Sequence, residues 1–216
     1  MIKMSRPLDT GLKQIETLLI KMGKLAEDSI AHALKGFIER EDVYVQTRTW
    51  SNTLLILSEE VEDRATELIA LHQPMARDLR SLKAYIKIAY DMERFGRYAL
   101  DISDVIHRLG AWEPFDNGEL SLEVMGQKVK EIVHMAVELT ESRDQPLIWR
   151  LSEIEAEIDD LYLKNLKMLS KSKKADAKTV VACLLTIRYL ERIADHASYI
   201  AESITYAATG KRITLR

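Results

Sequence analysis

Two acidic helix motifs, Asp91-Met92-Glu93-Arg94-Phe95-Gly96-Arg97 and Tyr189-Leu190-Glu191-Arg192-Ile193-Ala194-Asp195, recur 98 residues apart in this 216-residue chain. Each puts a carboxylate where the apolar pattern calls for a core side chain. Leu82, Ile86, Ala89, Glu93, Gly96 and Leu100 step by four, three, four, three and four, the phase of a seam facing other helices. Val180, Leu184, Ile187, Glu191, Ala194, Ser198 and Ala201 repeat those steps, with Glu191 as the counterpart of Glu93. A carboxylate on an inward stripe costs several kcal/mol if left unpaired, so it must be neutralised, open to a groove, or bound to a cation. Glu191 can pair with Arg188 three residues back. Alternatively, Glu191 and Asp195, four apart on one helix face, can offer oxygen ligands together, with the small Ala194, Ala197, Ser198 and Ala201 leaving room for a hydrated metal ion. A third reading, an anion or partner contact, has the wrong sign unless a metal comes first.

Two ligands from one helix rarely suffice, and Asp159, Asp160 and Asp63 are the carboxylates whose repeat positions could complete a site. A solvated helix face is the competing reading for these, as for Glu59, Glu60 and Glu62. Glu131-Ile132-Val133-His134 has the spacing of ferritin-like di-iron bundles, but that chemistry needs a second such pair and two further glutamates on four helices. His32, His72, His107 and His196 supply no second pair. No Gly-rich phosphate loop, zinc-type Cys/His cluster or Ser-centred nucleophile motif occurs, so the chain reads as a non-enzyme.

The elements that must position these groups are helices. With 8 Gly, 4 Pro, 47% hydrophobic and 30% charged residues, the composition is that of a soluble helical protein with one sizeable core or two small ones. The single cysteine, Cys183, lies in an apolar run and reads as a small buried hydrophobe in a reducing cytoplasm. No stretch reaches the roughly 18–20 apolar residues of a membrane span, and no apolar signal region follows Met1 to Arg6. A net charge of −3 without a basic run argues against nucleic acid. Periodicity and punctuation predict helices at 8–39, 43–72, 76–109, 119–143, 146–170 and 175–209. Gln73-Pro74 ends the second, Asp144 and Pro146 open the fifth, and Pro114 with Asp116-Asn117-Gly118 makes the clearest loop. Such long helices imply antiparallel bundles.

That loop separates two sets of three helices, and the sets match. Aligning 76–108 with 174–206 superposes Asp78 on Asp176, Ala84 on Ala182, Glu93 on Glu191, Arg94 on Arg192, Ala99 on Ala197 and Ile102 on Ile200. The opening helices match too, Met22-Gly23 over Met125-Gly126 and Ala33 over Ala136. The domains expected are 1–112 and 118–216. Trp50, Trp112 and Trp149 read as core or bundle-end packing, with a partner anchor as the alternative for one of them. Lys211 to Arg216 reads as a mildly basic tail, either frayed or contacting an acidic surface.

Over nearly its whole length the chain resembles the PhoU family of phosphate-signalling regulators. His72-Gln73-Pro74-Met75-Ala76-Arg77-Asp78-Leu79-Arg80 is similar to the family's Q-P-x-A-x-D-L-R segment. Lys87-Ile88-Ala89-Tyr90-Asp91-Met92-Glu93-Arg94-Phe95-Gly96 is similar to its K-I-A-x-D-L-E-R-I-G helix, and Leu190 to His196 repeats the end of that helix. The resemblance implies an all-α fold of two tandem, pseudo-symmetric three-helix bundles. It further implies a cytoplasmic negative regulator of phosphate uptake that couples the ATPase subunit of the phosphate transporter to a sensor histidine kinase, peripheral to membrane complexes and able to form a homodimer. Some members hold clustered cations on an E(D)-x-x-x-D motif, which falls here on Glu191 and Asp195, with iron, zinc, manganese or magnesium as the ions to expect; Asp159 is a further candidate ligand by its repeat position. In the first repeat Glu93 is retained, but Arg97 stands where the acid is expected, so an internal guanidinium replaces the cation and that site is weakened or lost. A ferritin-like redox or storage bundle is the alternative.

Overall fold

The computed structural model describes residues 6–110, 112, 120–173 and 175–215. Among these described residues are six helices: α1 Pro7–Glu39, α2 Tyr44–His72, α3 Ala76–Leu109, α4 Leu122–Ser142, α5 Gln145–Lys171 and α6 Ala177–Thr209. The expected α3 limits are met at both ends, and most other limits shift by one or two residues. The expected start of α4 at residue 119, and the Pro114 to Gly118 loop between the repeats, lie outside the described residues.

Local chemistry explains the helix ends. Asp176 caps α6 by accepting the Thr179 N–H at 2.6 Å. Asp144 precedes α5, with Pro146 in the first turn, though its side chain makes no capping bond. Gln73 ends α2 in the left-handed region (φ 45°) rather than the extended one that a following proline favours. The break after α1 has neither Gly nor Pro within it. Arg40 turns left-handed (φ 60°), and the Glu41 N–H reaches the Gly36 carbonyl at 2.9 Å. The glycine that permits this lies one helical turn earlier, because a Cβ on Gly36 would meet Val43 Cγ2 at 2.5 Å.

Each set of three helices packs as a bundle, and the two bundles are joined through α3 against α6, the most extensive helix pair in the molecule, and through α1 against α4. These four helices form the middle of the protein, with α2 and α5 on its two flanks. One continuous apolar core runs through both repeats, from Ile15, Leu19 and Met22 through Phe95 and Ile102 to Met125, Ile132, Ile193 and Ile200. Full burial of each Leu, Ile or Phe side chain contributes about 1.5–3 kcal/mol, so the joint between repeats is core rather than a wetted contact.

The contacts across that joint are paired by an approximate twofold axis. On α1 and α4, a Cβ on Gly23 would meet Val137, while a Cβ on Gly126 would meet Leu34. Gly126 is the repeat counterpart of Gly23, and Val137 that of Leu34. On α3 and α6, Asp91 meets His196 at 2.8 Å and Tyr98 stacks on Tyr189 with centroids 6.2 Å apart. Tyr189 lies 98 residues after Asp91, and Tyr98 lies 98 before His196. The axis therefore passes near Arg94 on α3 and Arg192 on α6, beside the two seam glutamates.

Candidate functional site

The seam where α3 and α6 run antiparallel gathers the charged groups that the sequence singled out. Glu93 is buried, its Oε1 3.6 Å from Arg97 Nη2 one turn on. Asp101, a further turn along, has its carboxyl pushed up by burial against the opposing pull of Arg97 and Arg94. Arg97 thus stands between two carboxylates of its own helix.

In the second repeat, Arg188 Nη1 donates to both oxygens of Glu191 at 2.8 Å, and Arg192 Nε lies 3.4 Å from Oε2. Asp195, buried, pairs with Arg192 Nη1 at 3.1 Å. Burial raises the Glu191 carboxyl, Asp195 and Asp159 push it the same way, and Arg188 and Arg192 oppose them. Asp159 on α5 is exposed and acts on Glu191 through its charge; Asp160 and Asp63 are exposed as well, and no described contact joins them to the seam. Arg188 also lies over the Tyr162 ring of α5, 5.8 Å from its centroid.

Among the described residues no three His, Cys, Asp or Glu side chains stand together so as to hold an ion, and Glu191 and Asp195 face two guanidinium groups where a metal would have to sit. In this arrangement Glu191 is ion-paired with Arg188 and Arg192. The Glu131 and His134 pair points outward, Glu131 to Arg150 at 3.6 Å and His134 Nδ1 to Glu27 at 2.7 Å, which removes the geometric basis for a ferritin-like centre.

Sequence reasoning missed the Asp91–His196 contact. His196 supplies no second Glu/His pair in the sequence, and in the structure it turns toward α3. Its Nδ1 lies 2.8 Å from Asp91 Oδ1, both side chains are nearly inaccessible, and Tyr90, Tyr98 and Tyr199 surround the imidazole. Burial raises the Asp91 carboxyl, opposed by His196 and then Lys87. Asp91 Oδ2 is buried without a hydrogen-bond partner, so His196 is what holds this carboxylate in the core. Elsewhere, Cys183 is buried and its thiol is pushed up to about 11 by burial, which keeps it from reacting as a thiolate. Trp112 packs on Phe37 and Trp50 on His32, whereas Trp149 is 71% exposed.

Comparison with known proteins matches the PhoU domain twice, at residues 19–106 and 122–204. A "Phosphate-specific transport system accessory protein PhoU homolog" of Clostridium acetobutylicum is 27% identical, covering 96% of each chain. Its namesake in Caulobacter vibrioides is 30% identical over 94% of this chain and 90% of its own. Among solved structures, PhoU from Pseudomonas aeruginosa has a TM-score of 0.85 at 24% identity, covering 94% of this chain and 99% of that one. The phosphate transport system regulatory protein PhoU from Streptococcus pneumoniae has a TM-score of 0.86 at 19% identity, covering 95% and 99%. These structural likenesses carry the fold: two three-helix repeats in tandem.

Proposed function

The chain belongs to the PhoU family, and on that premise we propose that it is a non-enzymatic accessory regulator of phosphate transport. The observation that carries this reading is coverage. Both repeats match the domain, and relatives named as phosphate-specific transport accessory proteins align along almost the whole chain. The finer form of the proposal is that the protein works in the cytoplasm as a negative regulator, meeting the transporter's ATPase subunit and a sensor histidine kinase through its long helical faces. No helix among the described residues is long and apolar enough to cross a membrane, which supports a peripheral position on a membrane complex.

Metal enters this reading as a competitor of arginine. A cation held by Glu191, Asp195 and Asp159 has to displace Arg188 and Arg192, so occupancy and the guanidinium contacts exclude one another. In this reading the exchange tunes partner binding through the helical faces.

The direct test is co-purification of tagged protein with the phosphate transporter, together with phosphate uptake in cells lacking the gene. The expected result is retention of the ATPase subunit and uptake that stays high in phosphate-rich medium. A gene deletion that leaves uptake normally repressed, with no transporter subunit retained, removes the proposal.

A further inference from the structure

We propose that a basic cavity between the first half of α3, the end of α6 and the C-terminal segment is a binding site for a phosphate group. The cavity has a volume of about 370 Å³ and is walled by Lys83 and Lys87 of α3, Glu202 and Tyr206 of α6, and Arg212 of the segment that follows. It lies on the joint between the repeats, well away along α3 and α6 from the Glu191 cluster, and it stands independently of the regulatory reading above.

Its charge is unbalanced. Lys83 Nζ and the Arg212 guanidinium each lie 5.9 Å from the centroid of the Tyr206 ring, and Lys87 Nζ lies 5.1 Å from that of Tyr199. None of the three cations forms an ion pair among the described residues. Glu202, the carboxylate in the wall, is engaged through Oε1 with the Leu215 N–H at 3.2 Å. Aromatic faces hold cations in place without neutralising them, so three positive charges converge on a concave space whose wall holds one carboxylate, Glu202, while Lys87 also acts on the Asp91 carboxylate behind it.

The wall that carries Arg212 is built in rather than frayed. The chain turns at Gly210 (φ 76°), and Leu215 is buried, its carbonyl accepting the Ser152 hydroxyl of α5 at 2.9 Å. The tail, which the sequence reads as either frayed or contacting an acidic surface, closes one side of the cavity.

The internal duplication shows that the fold does not need these cations. Lys83 and Lys87 correspond to Val181 and Leu185, and Glu202 and Tyr206 to Asp104 and Arg108. There Arg108 is paired with Asp104, and Val181 is partly exposed. The same helix packing is thus achieved with no excess of positive charge, which leaves the excess at the other end for a ligand. A phosphate group carries about −1.5 to −2 at pH 7 and accepts hydrogen bonds from Lys and Arg together. The remaining volume exceeds a single phosphate and admits the body of a small phosphomonoester.

Calorimetric titration of the full chain, in about 0.15 M salt to screen weak surface attraction, would use inorganic phosphate, adenosine monophosphate and phosphatidylcholine vesicles containing phosphatidic acid as separate arms. Binding is expected in at least one arm, which identifies the source of the phosphate group. Lys83→Ala with Arg212→Ala should weaken it about tenfold or more, the effect of losing two charge-assisted hydrogen bonds. Both side chains are exposed, so the thermal midpoint should stay in place. Lys24→Ala with Lys167→Ala, on other exposed surfaces, should leave the affinity unchanged. The proposal is overturned by silence in all three arms, by binding indifferent to Lys83 and Arg212, or by an equal loss in the Lys24/Lys167 variant.

Discussion

At Asp91, a carboxylate sits in the core with one oxygen bonded to His196 and the other without a hydrogen-bond partner. His196→Ala would strand that charge, and the expected cost is about 3–5 kcal/mol in urea unfolding. A loss under about 1 kcal/mol, the worth of an ordinary exposed pair, would mean that the carboxylate is solvated or protonated. Because burial raises the native carboxyl, the native state holds the Asp91 proton more tightly than the unfolded chain does. The associated stability is present below the unfolded carboxylate range and is lost as pH rises through the native value. Wild type should therefore lose stability relative to Asp91→Asn as pH increases from about 4, by about 1.4 kcal/mol for each unit of the shift; a difference independent of pH would sink the assignment. At Glu191 and Asp195 the guanidinium contacts predict a different response. Arg188→Ala with Arg192→Ala should raise the manganese or zinc bound per chain by elemental analysis, and adding Glu191→Ala and Asp195→Ala should abolish the gain. Metal content unchanged by removing both arginines would show that the carboxylates are no latent ligand pair. Sequence revealed the seam glutamates because each interrupts an apolar phase, and it revealed Arg188 because a partner three residues away is local. It did not reveal Asp91 with His196, since the partners are 105 residues apart and their meeting depends on where the twofold axis falls along α3.

Between elements, Gly96 sets how closely α2 approaches α3. A Cβ there would collide with Leu54, which is fully buried, and would lie 3.4 Å from the Ser51 Cα. Gly96→Ala should thus destabilise the protein by about 1–3 kcal/mol, although alanine favours a helix interior by about 0.5–1 kcal/mol over glycine. Adding Leu54→Ala should recover part of the Gly96→Ala cost in a double-mutant cycle, read by denaturant unfolding; strict additivity would place the strain elsewhere. The second repeat carries Ala194 at the corresponding position, so this close approach belongs to the first repeat. The helices themselves were legible because their apolar stripes persist for about six turns or more and several of their ends carry Pro, Asp or Gly. The α1–α2 break shows where that reading thins: the residue that permits the turn, Gly36, lies inside the helix, and its role depends on a contact with Val43 that no local pattern records.

For the molecule as a whole, the duplication visible in sequence left open whether two small cores or a single larger one would form. The structure answers with one, because the faces of α1 and α3 that a lone repeat would expose are covered by α4 and α6. The approximate twofold axis makes each repeat the other's missing half, in the way a homodimer interface completes itself. Phe95, Ile102, Ile193 and Ile200 are fully buried, and separating the repeats would open that apolar surface to water as a unit. Unfolding should then be a single cooperative event. In a Trp149→Phe background, helix content followed by circular dichroism and packing followed by fluorescence of Trp50 and Trp112, both in the first repeat, should give coincident transitions in urea, with calorimetric and van't Hoff enthalpies in agreement. A destabilising change in the second repeat, such as Ile193→Ala at an expected cost of about 2–5 kcal/mol, should shift the tryptophan signal by as much as the helix signal. Two separated transitions, with tryptophan reporting only the first and unmoved by Ile193→Ala, would show repeats that fold independently and merely touch. A common transition would mean that a ligand or partner bound on either repeat stabilises both, through the shared core that joins α3 to α6.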